Sequence, residues 1–379
     1  MSRRPRPLAP VLRFLRRGDW PLLPIAAAIA LIGLLVQWSV SGPDAFPGAH
    51  VARLGVAACA AAAAAWISPR RWRSLAVPCY WACIALLAYV LFFGDVTNNA
   101  RRWIELGGGF KLQPSEFAKL ALLLVLARWF ADRPRPAGLR DLAAPAALTA
   151  LPAGLVLPEP DLGTALTYGP VFLALAYLAG TPRRTWLALL LLPVLLAPLG
   201  LLLLQDYQKE RVLIWWRQDQ LSAEDKAGAG YHLWHSKLAV GSGGLTGQGW
   251  SEGVENRLDR LPERHNDFIF PVIAEEFGFL GAAFFLLLYC ALALLALWAS
   301  ARYRDPFTRF VVAGVGVHFA VHLVINVGVT LGVWPTTGLP LPMVSWGGSS
   351  MMVSGMALGL ALSVSAGREP VLAGRAFQD

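Results

Sequence analysis

The chain has 379 residues, 56% hydrophobic and only 15% charged, with a formal net charge of +9. A soluble chain would normally carry about a quarter of its residues as Asp, Glu, Lys or Arg, so a soluble globular protein is excluded. The apolar runs are continuous rather than alternating with period two, which argues against a transmembrane β-barrel, and the basic residues gather in short segments between them, a pattern of membrane topology rather than of nucleic-acid binding.

Six arginines lie between Arg3 and Arg17, followed by an apolar run from Trp20 to Val40. That run is of spanning length and closes on Gln37-Trp38-Ser39 without a small-residue cleavage pattern, so an uncleaved first span is predicted. Further apolar windows place ten spans at 20–38, 50–67, 75–93, 114–130, 142–157, 163–180, 186–205, 269–298, 310–333 and 343–366. The predicted fold is an all-α polytopic membrane protein, one integral domain over 1–379 with tails at 1–19 and 367–379 and one long loop at 206–268. The fifth and sixth spans are short, and only Pro158-Glu159-Pro160-Asp161-Leu162 separates them. They read either as two spans or as an interrupted, re-entrant pair.

With the N-terminus inside, the tails and short loops on that side hold 19 Lys or Arg residues against 11 on the other, eight of those in the long loop. Short loops set orientation, so both termini are expected in the cytoplasm and the long loop outside. The 15 Trp residues suit anchoring at the membrane surface. Cys59, Cys79, Cys83 and Cys290 all fall in apolar stretches and read as small buried hydrophobes, not as disulfides or a zinc site.

Charges beside or within spans need partners or a cavity. Arg101-Arg102-Trp103 precedes Gln113-Pro114-Ser115-Glu116, where Pro114 suits the first helical position. Glu116 and Lys119, three apart, can share a helix face, as a structural ion pair or as part of a substrate site. Glu159 and Asp161 sit at a break between spans, where they can take a divalent cation, hold a basic group or simply cap a helix. In the long loop, residues 240–249 include five glycines, readable as an ordered turn against a helix or as a flexible loop. No P-loop follows, because no GK[ST] ending is present. His265-Asn266-Asp267 stands where the loop re-enters the membrane, and helix capping is the simplest local role for Asp267. Pro335 to Pro342, followed by Ser345-Trp346-Gly347-Gly348-Ser349-Ser350, predicts a tightly packed entrance to a cavity, and Asn326 in the span before it needs an internal partner. These local features suit a transporter as readily as an enzyme.

In this order, Arg102-Trp103, Gln113 to Glu116, Glu159-Pro160-Asp161, Gly241-Ser242-Gly243-Gly244, Asp267-Phe268-Ile269-Phe270 and Gly338 to Pro342 through Ser350 resemble the SEDS membrane proteins of bacterial cell-wall synthesis, the rod-shape branch more than the division branch. The likeness covers most of the chain. It departs from the family at Asn266, where Thr is usual, and at Trp346, where Tyr is commoner.

The resemblance implies a ten-helix SEDS-type bundle in the bacterial cytoplasmic membrane and a peptidoglycan glycosyltransferase. Its substrate would be lipid II, the disaccharide-pentapeptide carried on undecaprenyl diphosphate, joined on the outer face. It further implies a class B penicillin-binding protein as transpeptidase partner, MreB, MreC and MreD as associates, and a divalent cation, Mg or Mn. Asp267 takes the role of catalytic base by its place in the motif. Arg102, Trp103, Lys119 and Lys237 are expected to bind substrate, and Glu116, Asp161 and Glu159 to organise the site or a metal. A flippase for the same precursor and a noncatalytic scaffold for the penicillin-binding protein are the competing expectations.

Overall fold

The computed structural model describes residues 21–42, 44–97, 100–105, 111–159 and 161–366, so the predicted tails at 1–19 and 367–379, and Pro160, lie outside the described residues. Ten long helices match the ten predicted spans: α1 (Leu22–Ser41), α2 (Gly48–Trp66), α3 (Pro69–Phe93), α4 (Pro114–Ala131), α5 (Leu139–Val156), α6 (Leu162–Leu178), α7 (Arg183–Leu203), α12 (Ile269–Ser300), α13 (Pro306–Thr330) and α14 (Gly348–Ala366). Between α7 and α12 run the short helices α8 (Asp206–Trp216), α9 (Ala223–Ala227), α10 (Tyr231–Ser242) and α11 (Val254–Arg257). Seven of the ten long helices are long and apolar enough to cross a membrane by length and composition alone. The shorter α6 is also apolar, whereas α4 carries Glu116, Lys119 and Arg128. The fifth and sixth predicted spans are the separate helices α5 and α6.

Several boundaries differ from those predicted, for local chemical reasons. α3 and α13 begin earlier because Ser68 and Asp305 cap them, accepting from the N–H groups of Arg71 and Thr308, with Pro69 and Pro306 in the first turn. The tenth helix begins at Gly348 rather than 343, since Pro335, Pro340 and Pro342 keep the preceding segment out of helical geometry. Three short antiparallel strands, β1 (Asp95–Thr97), β2 (Ala100–Glu105) and β3 (Lys111–Leu112), depart from the all-α expectation; β2 pairs Val96 with Arg101 on one side and Ile104 with Leu112 on the other. Cys59 and Cys290 are exposed, where the sequence reading expects buried hydrophobes, and Cys79 and Cys83 are half-buried.

α13 and α14 form the centre, with 78% and 83% of their spanning windows inside the protein. α14 approaches α2 closely because Gly355 and Gly359 face the carbonyls of Ala57 and Ala61; an added Cβ would lie 2.1 Å from either oxygen.

The Gly-rich segment is ordered, and α12 explains why. Gly278 breaks that helix at φ 65°, ψ −168°. The carbonyls freed at Glu275 and Glu276 accept from Gln248 and Gly249 N–H at 3.0 and 3.1 Å, while Phe279 and Leu280 N–H donate to Gly244 and Leu245 carbonyls at 2.9 and 3.1 Å. Irregular backbone at membrane depth is tolerated when protein satisfies it in this way. An added Cβ at Gly278 would lie 2.2 Å from the Gly247 nitrogen. Gly278→Ala is therefore expected to cost at least about 1–3 kcal/mol from the backbone conformation alone, read as a lower melting temperature in detergent. An unchanged melting temperature would show that the break does not need glycine.

Candidate active site

The turn carrying Asp267 is fixed by its own backbone. The His265 carbonyl accepts from Trp346 N–H at 2.8 Å and from the Gln37 amide at 2.8 Å, and Gln37 also donates to the Val344 carbonyl at 3.0 Å. The Ser345 hydroxyl donates to the Asn266 carbonyl at 2.6 Å. Asn326 donates to the carbonyls of both Asp267 (2.9 Å) and Leu339 (2.8 Å), the internal partners its position in a span demanded. Three successive carbonyls are thus held by α1, α13 and the Pro-rich strap at 335–347. The Asn266 side chain only reaches Glu263, at 3.0 Å, so the Thr-to-Asn departure leaves this frame intact.

Asp267 is not the helix cap that local reasoning favoured. α12 begins at Ile269, Phe268 occupies the cap position, and no side chain caps the helix. Asp267 is half-buried, and its Oδ2 faces Gly338, where an added Cβ would stand 3.3 Å away. Withdrawal from water, aided by the negative charges of Glu263 and Asp161, pushes its carboxyl up to about 7, against the pull of Arg211 and Arg102.

Asp161 accepts from the Gln113 amide at 2.9 Å and caps α6 through Thr164 N–H at 3.1 Å, so the helix-capping reading of this turn holds for Asp161. Its neighbour Glu159 is 1% exposed and, among the described residues, has no hydrogen-bond partner on either carboxyl oxygen. Burial and Asp161 push it up to about 8, with Arg102 pulling the other way. Arg102 is half-buried on β2 and its Nε is likewise unpartnered. Ser349, at the start of α14, accepts from Gln113 N–H and donates to the Lys111 carbonyl, both at 3.0 Å. The N-termini of α4, α6, α12 and α14 therefore gather at one end of the bundle, where helix dipoles favour anions.

The remaining predicted residues sit differently. Trp103 is half-buried beside Arg102 on β2. Lys119 is buried 2.7 Å from Glu116 and 3.1 Å from His322 Nε2, beside a small cavity also lined by Tyr168 and His318. Lys237 is exposed on α10, 3.2 Å from the Gln218 amide oxygen and 3.7 Å from Asp219. Sequence reasoning passed over Gln37 and Arg211. A buried Gln within the first span was a signal available to it; Arg211, whose guanidinium donates to the Thr336 carbonyl at 3.3 Å, looked like one more charge in a basic loop. Among the described residues no three His, Cys, Asp or Glu side chains converge as a metal cage. Glu159, with two free buried oxygens next to Asp161, offers at most the one or two carboxylates typical of a cation that arrives on a phosphate substrate.

These features define a multi-pass helical membrane protein with a carboxylate and two arginines held where four helix N-termini meet. The pattern of the FtsW, RodA and SpoVE family, described as a cell cycle protein, matches residues 20–369, and the chain belongs to that SEDS family. It is 36% identical to the peptidoglycan glycosyltransferase MrdB of Escherichia coli, over 93% of this chain and 94% of that one. It is 31% identical to the peptidoglycan glycosyltransferase RodA of Treponema pallidum, over 75% and 81%. Among solved structures it resembles a chain of a peptidoglycan synthase complex that coordinates polymerization and crosslinking, at TM-score 0.77 and 35% identity, covering 92% of this chain and 97% of that one. It also resembles the rod shape determining protein RodA of Thermus thermophilus, at TM-score 0.69 and 32% identity, covering 92% and 96%.

Proposed function

We propose that this protein polymerises the glycan strands of peptidoglycan during cell elongation. The observation that carries the reading is Asp267, its backbone held at three carbonyls and its carboxyl raised towards neutrality beside Arg102 and Arg211. In the proposed reaction Asp267 accepts the proton of an acceptor GlcNAc 4-hydroxyl as that oxygen bonds to C1 of a lipid-linked MurNAc. The C1–O bond to the diphosphate breaks, the diphosphate leaves with the electron pair, and the α-linked donor becomes a β-1,4 link by inversion. Such a leaving group needs little protonation, so one base suffices where glycosidases use two carboxylates. Arg102 and Arg211 would hold phosphate oxygens. A divalent cation, Mg or Mn, would supply further charge stabilisation on the diphosphate, with Glu159 and Asp161 as its nearest protein ligands.

The reading extends to topology and partners. The basic short loops support cytoplasmic termini and a site on the outer side. The likeness to a synthase complex supports a class B penicillin-binding protein as partner; MreB, MreC, MreD and lipid II are proposed on the family resemblance.

The test is polymerisation of fluorescent lipid II by the purified protein with its transpeptidase partner inhibited. Glycan ladders are expected; movement of the precursor across vesicles without ladders would favour a flippase and overturn the polymerase reading. The rate should also report the base. Asp267 works deprotonated, so kcat/KM should climb roughly tenfold per pH unit below about 7 and level off above it. A flat profile from pH 5 to about 8 would remove Asp267 from that role.

A further inference from the structure

Lys119 is buried against Glu116 and His322, and its contacts lead back to Asp267. The link is His322, one turn before Asn326 on α13 and on the same face. Its Nε2 lies 3.1 Å from Lys119 Nζ, and its Nδ1 lies 3.1 Å from the Pro340 carbonyl. A lysine ammonium has only protons to give, so Nε2 must accept. A neutral imidazole with an accepting Nε2 carries its hydrogen on Nδ1, and that hydrogen is aimed at Pro340.

Two successive carbonyls of the strap, Leu339 and Pro340, are therefore pinned by Asn326 and His322. Immediately before them is Gly338, held at φ 70° against the Asp267 carboxylate. Asn326 completes the tie by also binding the Asp267 carbonyl. We propose that His322 is a positioning residue for Asp267, its tautomer fixed by Lys119 so that its Nδ1–H anchors the wall against which the reacting carboxylate rests. The proposal rests on the reading of Asp267 as the base. It assigns the buried Glu116–Lys119 pair a task exercised through α13 rather than by contact with the diphosphate.

Packing alone is the competing account, since His322 also packs against His318, the rings tilted by 56° with centroids 4.6 Å apart. Asn and Gln variants separate the two. An Asn amide nitrogen falls near the Nδ1 position and can still donate to Pro340, whereas a Gln amide falls near Nε2 and cannot. His322→Gln is expected to lower kcat in lipid II polymerisation by roughly 10- to 100-fold, the cost of a small misplacement of a reacting group, with KM little changed. His322→Asn should recover most of that loss. If instead Asn and Gln fall together, in step with their melting temperatures, His322 is a core residue and the proposal is overturned.

A second readout does not depend on activity. Nuclear magnetic resonance of isotope-labelled histidine should show His322 protonated on Nδ1 and shifting when Lys119→Met removes the donor. The opposite tautomer in the unaltered protein would sink the proposal even if polymerisation were confirmed. Absence of polymerisation by the unaltered protein would fail the functional reading while leaving the tautomer result to stand by itself.

Discussion

Asp267→Asn is expected to abolish strand polymerisation in a protein that still folds and inserts. Asn has nearly the shape of Asp and keeps the backbone carbonyl that Asn326 binds, but it cannot take up a proton. Loss of a placed base removes roughly 10²–10⁴-fold in rate, enough to erase glycan ladders on a gel. Stability should not fall with it. The folded carboxyl holds its proton more tightly than an exposed one of ordinary value 3.8, so its contribution to stability is full below about 4 and is lost as pH rises through about 7. Replacing it by a neutral amide removes that dependence, and the variant should melt no lower than the parent at pH 8. Asp267→Glu tests placement: moving the carboxylate by one methylene can cost roughly 10²-fold. Ladders of normal length from the Asn variant would end the proposal that this residue is the base.

The spans were legible because most had to be continuous apolar helices. Features that depend on meetings between distant segments were not. Asp267 looked like a cap because a carboxylate before an apolar helix usually is one; Phe268 takes that place, and the frame comes from Gln37, Asn326 and Ser345, far away in sequence. The glycines at 240–249 read equally as a loose loop until the break at Gly278 supplied the backbone groups they satisfy. Glu116 and Lys119 were visible as a pair by their spacing, and the structure places them together. That the pair is sealed, and that a histidine on α13 completes it, depended on a contact 203 positions away.

The same pair gives the second large effect. Either Lys119→Met or Glu116→Gln alone is expected to destabilise the protein by about 3–5 kcal/mol, because each leaves the opposite charge buried without its counter-ion. Among the described residues one carboxyl oxygen of Glu116 already has no partner, so little is present to replace the ammonium. Made together, the two changes remove both charges and should restore melting to within about 1 kcal/mol of the parent, since a buried pair replaced by neutral residues of similar volume is often neutral. Activity then separates structure from function. A purely structural ion pair predicts that the double variant polymerises lipid II as the parent does. The geometry predicts otherwise: Met gives His322 no proton donor, the imidazole is free to change tautomer, and Pro340 loses its anchor. The folded double variant should therefore remain at least roughly tenfold slower, the scale of a small misplacement at the reacting carboxylate. Full recovery of rate together with melting would reduce Glu116 and Lys119 to a support of the bundle and cut the path from α4 to Asp267.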